Sequence, residues 1–561
     1  MNDMIRRRLS FVGFILALLG MLIVYRLVSL QFGVNIAYFA ETARTEYRYR
    51  VTIHPPRGEI YDRNGILLAT NSIEYEIGIS PVLILDREGT AQALANATGI
   101  PKEELLADMA SPAPYVLLVR PATAAMGQAV LALELDGVVV TPIPRRFYPH
   151  GSLAAHVLGF VGYDETGYYG IEGYYDEVLR GKIKFSDESR IPFEATGGEG
   201  WSPGSDLYLT LDSEIQSLAE MTLSGAIEQT GASSGTIIVM DPRTGEILAM
   251  ANWPTFDPNR FYSTETSLLD NPAINEPYEP GSTFKVLTMA IALENDVVEP
   301  DSTYNDTGVL EVGGIEVHNW DNAAHGITTM TDLLGKSLNV GAATLSVSLG
   351  PTRFYSGLEA FGLGELTGID LQGEVTAPLD VPGSPNWYEA DLAANAFGQG
   401  VALTPLQLIT AVGAVANGGL LVQPHMVTQR IDPDGTITTF GATTLGRPIS
   451  PQTAQELTWM LATALQREAS PALLAGYNIA GKTGTAQIPI PGGYDPDQTI
   501  ASFIGYGPVD DPRFIVLIKL DRPTSSPWGS QTAAPIFGQF VSRLVVLMEI
   551  PPDSVRLTAG R

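Results

Sequence analysis

Three short sets of residues in this chain are of the types that do nucleophilic chemistry, and they stand in order: Ser282-x-x-Lys285, Ser337-x-Asn339 and Lys482-Thr483-Gly484. Pro280 and Gly281 break the preceding structure. Thr283 to Leu293 (TFKVLTMAIAL) then carries apolar residues on several sides, as a buried helix does. Ser282 is expected at the mouth of that helix, with Lys285 close to one turn on and on the same face. A hydroxyl at a positive helix end with an amine in reach can act as an activated nucleophile. It can equally be an N-cap beside a solvated lysine. The Ser-x-Asn and Lys-Thr-Gly sets are weak alone, because these residues are common in loops and caps. No other Ser-x-x-Lys occurs in the chain.

Composition narrows the chemistry. The net charge of −29 over 561 residues argues against nucleic-acid binding, which needs a basic stripe. It does not exclude an anionic substrate, because local lysines can dominate a cleft. There are only seven: Lys102, Lys182, Lys184, Lys285, Lys336, Lys482 and Lys519. With no cysteine there is no disulfide, thiolate metal site or cysteine nucleophile. The six histidines (His54, His150, His156, His318, His325, His425) form no HExxH helix and accompany no G-x-S-x-G elbow, so structural roles are expected for all.

The elements that must position these residues follow from pattern and breakers. Arg6-Arg7-Arg8 precedes an apolar run from Leu9 to Tyr25, about seventeen residues or roughly 26 Å of helix, continuing past Arg26 through Leu30. An uncleaved signal-anchor with a cytoplasmic N-terminus is favoured over a cleaved signal peptide. Asn64-Gly65 reads as a hairpin turn, and Ile73 to about Val140 as alternating short strands and helices. Gly159–Gly162 and Gly170–Asp176 suit turns and packing. Gly197-Gly198-Glu199-Gly200 with Pro203-Gly204 forms the best boundary. Beyond it come a strand from Asp206 to Leu211, a helix from Ser213 to about Thr230 capped by Asp212, and a hairpin turning at Asp241–Gly245. Thr404-Pro405 starts a helix that ends at Asn417-Gly418-Gly419. Ile479–Gln487, Ala501–Tyr506 and Phe514–Leu520 read as an antiparallel meander, covered by a helix from about Ala534 to Met548. A short polar tail follows Ile550.

Together and in this order, the three sets resemble the serine acyl-transferase signature shared by penicillin-binding proteins and serine β-lactamases. The whole chain resembles a class B penicillin-binding protein, a membrane-anchored peptidoglycan D,D-transpeptidase. The likeness extends to Arg57-Gly58…Asp62-Arg63-Asn64-Gly65…Leu68-Ala69, to Gly170-x-Glu172…Tyr175-Asp176, to Phe397-Gly398-Gln399-Gly400 and to Lys482–Gln487. No glycosyltransferase module of about two hundred residues lies between anchor and pedestal, unlike the bifunctional class A members. The resemblance implies a multidomain α/β (α+β) fold. Its expected parts are a cytoplasmic tail (1–8), a transmembrane helix (9–31), an elongated non-catalytic pedestal of dimerisation type (32–204), a transpeptidase domain with a central antiparallel sheet flanked by helices (205–550), and a tail (551–561).

It also implies roles. Ser282 would attack the carbonyl between the last two D-alanines of a stem peptide, with Lys285 as its base. Burial and the ammonium of Lys482 would both lower the pKa of Lys285. Ser337 would relay a proton to the leaving amine, and Asn339 would hold Lys285 and a substrate amide. Lys482, Thr483 and Thr485 would meet the terminal carboxylate beside Gly484. The N–H groups of Ser282 and Thr485 would form an oxyanion hole. An amine of a second stem peptide takes the acyl group, β-lactams acylate Ser282 as mimics, and no cofactor is implied. A SEDS-type membrane glycosyltransferase is the implied partner. The competing readings are a β-lactam-hydrolysing or penicillin-sensing homologue, against which the long pedestal speaks, and a non-catalytic scaffold of wall synthesis.

Overall fold

In the computed structural model the described residues are 3–32, 48–53, 55–182, 184–189, 202–468 and 470–559. His54 and the Gly197–Gly200 boundary signal lie outside them. The chain packs as two units. Met1–Pro55 with Gly181–Pro203 forms one, and Pro56–Arg180 with Gly204–Arg561 the other.

The first unit holds helix Asp3–Phe32 and an antiparallel ribbon of Arg48–Ile53 with Lys184–Ser189. Within that helix Ser10–Ser29 is apolar over 20 residues and wholly exposed. That is about 30 Å of helix, the thickness of a bilayer core.

In the second unit a five-stranded antiparallel sheet takes the order Ile247–Trp253, Ser234–Met240, Phe514–Asp521, Gly493–Gly507, Ala480–Ile490. The hairpin and the meander read from the sequence are therefore the two sides of one sheet, joined where Ser234–Met240 pairs with Phe514–Asp521. Both faces are buried, and alternation sorts the side chains between them. Ile237, Val239, Phe503, Val516 and Ile518 pack with helices Ser213–Thr230 and Ala533–Leu547. Ile238, Met240, Ile504, Ile515 and Leu517 share a core with helices Lys285–Glu294, Pro405–Ala416 and Pro451–Arg467. Local signals set the helix ends. The Asp212 carboxylate accepts from the N–H groups of Glu214 and Ile215, and Thr404 with Gln407 closes a capping box. The polar tail is not extended: Asp553–Ala559 is helical, its Asp553 accepts from Asn478 N–H at 2.7 Å, and Arg556 pairs with Asp510 at 2.6 Å.

The N-terminal lobe of this unit pairs Leu67–Ile79 with Val116–Ala122 and with Val138–Phe147, over a small core that includes Ile77, Leu94, Leu105 and Val130. Asp62 builds the turn before it, its Oδ1 accepting from the N–H of Asn64 and of Ile66 at 2.8 Å each, while Oδ2 accepts from the Ser213 hydroxyl at 2.7 Å. A buried ionic knot joins the two marked stretches. Arg57 donates to Glu172 and Asp176, both at 2.8 Å, and Arg146 donates to Glu172 at 2.5 Å. Glu172 is fully buried, and among the described residues these two guanidiniums and the Tyr148 hydroxyl are what compensate its charge. Lobe and catalytic half also share a sheet: Ile60–Tyr61 pairs in parallel with Leu207–Tyr208, and Val427–Ile431 continues it.

Candidate active site

Ser282 is not an N-cap. A 3-10 turn, Gly281–Phe284, runs straight into helix Lys285–Glu294, and Ser282 sits inside that turn with its hydroxyl making no cap bond. Two contacts hold the turn. Gly281 has φ +56 and its N–H donates to Gly398 O at 3.0 Å. The Thr283 hydroxyl donates to Pro280 O at 2.9 Å. A Cβ on Gly398 would lie 2.3 Å from Gly281 O, which explains the glycine in the Phe397–Gly400 segment.

Lys285 emerges from the first turn of a helix whose residues are buried from Lys285 through Leu293. Its side chain is 1% exposed. Nζ lies 3.1 Å from Ser282 Oγ, 2.6 Å from Ser337 O, 3.3 Å from Ser337 Oγ and 2.7 Å from Asn339 Oδ1. None of these partners is a carboxylate. Burial and then the neighbouring Lys482 push its pKa well below the usual lysine value. A neutral amine has two N–H groups and one lone pair. Ser337 O and Asn339 Oδ1 can only accept, so they take the two N–H groups. The lone pair is left facing the Ser282 hydroxyl, which can then donate to it.

Ser337 and Leu338 are the only residues between helices Met330–Lys336 and Asn339–Ala360. Ser337 ends the first of these in the left-handed region, at φ +58. This costs a non-glycine residue about 1–2 kcal/mol, but it brings both its carbonyl and its hydroxyl onto Lys285. Asn339 is fixed from its other end, Nδ2 donating to His318 O at 3.1 Å.

Lys482 projects from strand Ala480–Ile490 and is 3% exposed. Its Nζ donates to Ser337 Oγ at 3.0 Å and approaches Thr483 O at 3.2 Å and Thr483 Oγ1 at 3.3 Å. Burial lowers its pKa to about 7, against the opposing pull of Glu468. The Ser337 hydroxyl thus stands between two amines. Gly484 faces Ser502 across the sheet, and a Cβ there would lie 2.2 Å from Ser502 Oγ and 2.9 Å from Thr283 Cγ2. The Thr485 hydroxyl accepts from Gly529 N–H at 3.0 Å.

Ser282, Ser337, Asn339, Lys482, Thr483 and Thr485 line one cavity of about 600 Å3; Lys285 and Gly484 do not line it, but Lys285 is hydrogen-bonded to three residues that do. Sequence reasoning missed several of its other walls: Trp320, Trp528, Glu468 and Gln531. The two tryptophans meet edge to face at 5.6 Å, and Trp320 Nε1 donates to Lys336 O at 2.9 Å. Their signal was available, since each is a large aromatic in a turn-rich segment, His318-Asn319-Trp320-Asp321-Asn322 and Ser526-Pro527-Trp528-Gly529. Of the histidines, His156 is buried against Leu268 O, with its pKa lowered to about 4, whereas His325, paired with Asp321, lines the Ser282 cavity, where a structural role was expected. Among the described residues no His, Asp and Glu cluster could hold a metal ion.

Comparison with known proteins places this geometry in context. Residues 235–542 match the family described as Penicillin binding protein transpeptidase domain, and residues 52–190 match the Penicillin-binding Protein dimerisation domain. Stage V sporulation protein D of Bacillus subtilis is 34% identical over 559 residues, covering 96% of this chain and 85% of that protein. Peptidoglycan D,D-transpeptidase FtsI of Escherichia coli is 30% identical over 524 residues, covering 90% of this chain and 85% of that protein. The crystal structure of penicillin binding protein 3 from Mycobacterium tuberculosis complexed with aztreonam superposes with a TM-score of 0.70 at 30% identity, covering 90% of this chain and 98% of that one.

Proposed function

This chain belongs to the class B penicillin-binding proteins and is a peptidoglycan D,D-transpeptidase, and we propose that it works through an acyl ester on Ser282. The observation that carries the proposal is the buried Lys285 amine, 3.1 Å from Ser282 Oγ, with carbonyl oxygens holding its two N–H groups. Lys285 takes the hydroxyl proton as Ser282 Oγ bonds to the carbonyl carbon between the terminal D-alanines. The C–N bond then breaks, and Ser337, bonded to both amines, passes a proton to the departing D-alanine. An acceptor amine from a second stem peptide attacks the ester and releases Ser282 with its proton restored. Asn339 holds Lys285 and a substrate amide, while Lys482, Thr483 and Thr485 receive the terminal carboxylate beside Gly484. The N–H groups of Ser282 and Thr485 are the proposed oxyanion donors, worth about 3 kcal/mol each by analogy with other acyl transferases.

β-Lactams enter the same cleft and acylate Ser282. The apolar Ser10–Ser29 helix is the membrane anchor, with the basic Arg6–Arg8 end in the cytoplasm and the catalytic domain outside. The proposed division is a pedestal over 32–204 and a transpeptidase domain over 205–550, and the proposed partner is a SEDS-type membrane glycosyltransferase.

Labelling with a fluorescent penicillin tests the reading. A stable label on the full chain that Ser282→Ala abolishes supports it. Rapid release of the label points to a hydrolase, and no label on the natural chain points to a scaffold. Either outcome overturns the proposal.

A further inference from the structure

A second cleft, of about 460 Å3, lies in the larger unit and shares no lining residue with the Ser282 cavity. Its size falls within the range of small-molecule sites. One wall comes from the lobe, at Tyr174 and Tyr175, and the others from Gly368–Asp370, from Gln423–Val427 and from Thr439–Thr443. These walls are tied together. The Tyr175 hydroxyl donates to Asp370 Oδ2 at 2.9 Å, Gln423 N–H to Thr443 O at 2.8 Å, and Phe440 N–H to Thr428 O at 2.8 Å.

Three features narrow its ligand. Tyr174 and Phe440 leave aromatic surface open, being 53% and 40% exposed. His425 Nε2 is buried, so its imidazole nitrogen is closed to a ligand and the polar groups left in the wall are hydroxyls. No lysine or arginine is among the lining residues, and the one carboxylate, Asp370, is already satisfied by Tyr175 and by the N–H groups of Met426 and Val427. A carboxylate-bearing peptide finds no cation here, and a cationic ligand finds no unpaired anion. A neutral ligand with an apolar ring face and a polar rim matches what is offered: open aromatic faces and the hydroxyls of Thr439 and Thr443.

We propose that this cleft is a glycan subsite, taking a neutral N-acetylhexosamine segment of a peptidoglycan strand against Tyr174 and Phe440, with its acetamido or hydroxyl groups on the hydroxyls of Thr439 and Thr443. The inference rests on the peptidoglycan reading of the function. It adds that the enzyme grips the polymer away from the reacting peptide, so that strand and stem peptide are held at separate places.

Tetra-N-acetylchitotetraose is a neutral probe that lacks the stem peptide. Titration of the full-length protein in detergent, followed by calorimetry and saturation-transfer NMR, should show saturable binding. Tyr174→Ala and Phe440→Ala should each weaken it about ten-fold, while fluorescent penicillin still labels Ser282 at the natural rate. That labelling shows the variants to be folded. No saturable binding, or binding that both variants leave unchanged, overturns the glycan subsite. Loss of labelling in the natural protein would instead sink the transpeptidase reading beneath it, so the two failures are distinguishable.

Discussion

Replacing Lys482 by methionine keeps the length of the side chain and removes one of the two amines at Ser337. Both amines contact the same Ser337 hydroxyl, at 3.0 and 3.3 Å, so they stand no more than about 6 Å apart. With an effective dielectric constant of about 20, two unit charges at about 6 Å repel by about 3 kcal/mol, and by more if they stand closer. Lys285 is the group that this repulsion holds down, in addition to burial. In Lys482→Met the repulsion is gone, so the pKa of Lys285 rises, while burial, the larger cause, still keeps it below that of an ordinary lysine. Acylation needs Lys285 neutral. The acid limb of its pH–rate profile must therefore move to higher pH. The assay is the second-order rate of Ser282 acylation by a fluorescent penicillin, measured across pH in both proteins. Loss of the carboxylate partner also slows the variant below about pH 7, where Lys482 carries its charge, so the limb is read from the direction its midpoint moves rather than from absolute rates. An acid limb that stays in place, or moves to lower pH, refutes the coupling between the two amines.

The same substitution should change how stability depends on pH. The folded pKa of Lys482, about 7, lies below the unfolded value of about 10.4, so the unfolded chain binds more protons between them and stability rises with pH through that window. Thermal unfolding of Lys482→Met should rise less over this range, and an equal slope would contradict the lowered pKa. Gly484→Ala puts a methyl 2.2 Å from Ser502 Oγ and should cost about 1–3 kcal/mol with slowed acylation. Ser502→Ala, which removes a buried hydroxyl without a partner, should recover part of that loss, and strict additivity in the double-mutant cycle would argue against the contact. Glu172→Gln strips the charge from the knot of Arg57 and Arg146 and should destabilise by about 3–5 kcal/mol in a denaturant titration. The surviving folded fraction should still label at Ser282.

What was legible in the sequence was what local chemistry fixes. Asp212 before Ser213 opens a helix read as running to about Thr230, and the structure has it at Ser213–Thr230, closed by Gly231 in the left-handed region. Thr404-Pro405 opens another for the same reason, and the short apolar run Phe514–Leu520 marks a buried strand. The residue order of the three chemical sets was visible too, and the fold brings them to one cleft. Their exact placement was not readable, because it depends on distant partners. Ser282 lies inside a 3-10 turn rather than at its cap because Gly281 takes a left-handed conformation and bonds Gly398, which arrives from far along the chain. Trp320 and Trp528 meet only after two unrelated loops converge. The helix at Asp553–Ala559 escaped notice because polar composition alone suggests a tail, whereas Asn478 and Asp510 supply its docking partners.

The parallel pairing of Ile60–Tyr61 with Leu207–Tyr208 has a practical consequence. A truncation begun at residue 205 would retain every residue of the catalytic cleft and yet strip the neighbour from strand Asp206–Leu209. Its bared N–H and C=O groups, beside the apolar Leu207 and Leu209, would form a sticky margin that invites self-association. The lobe therefore works as a lid on that margin, so solubility of the excised half depends on keeping Pro56–Leu68 attached, whatever further duties the lobe performs in the wall.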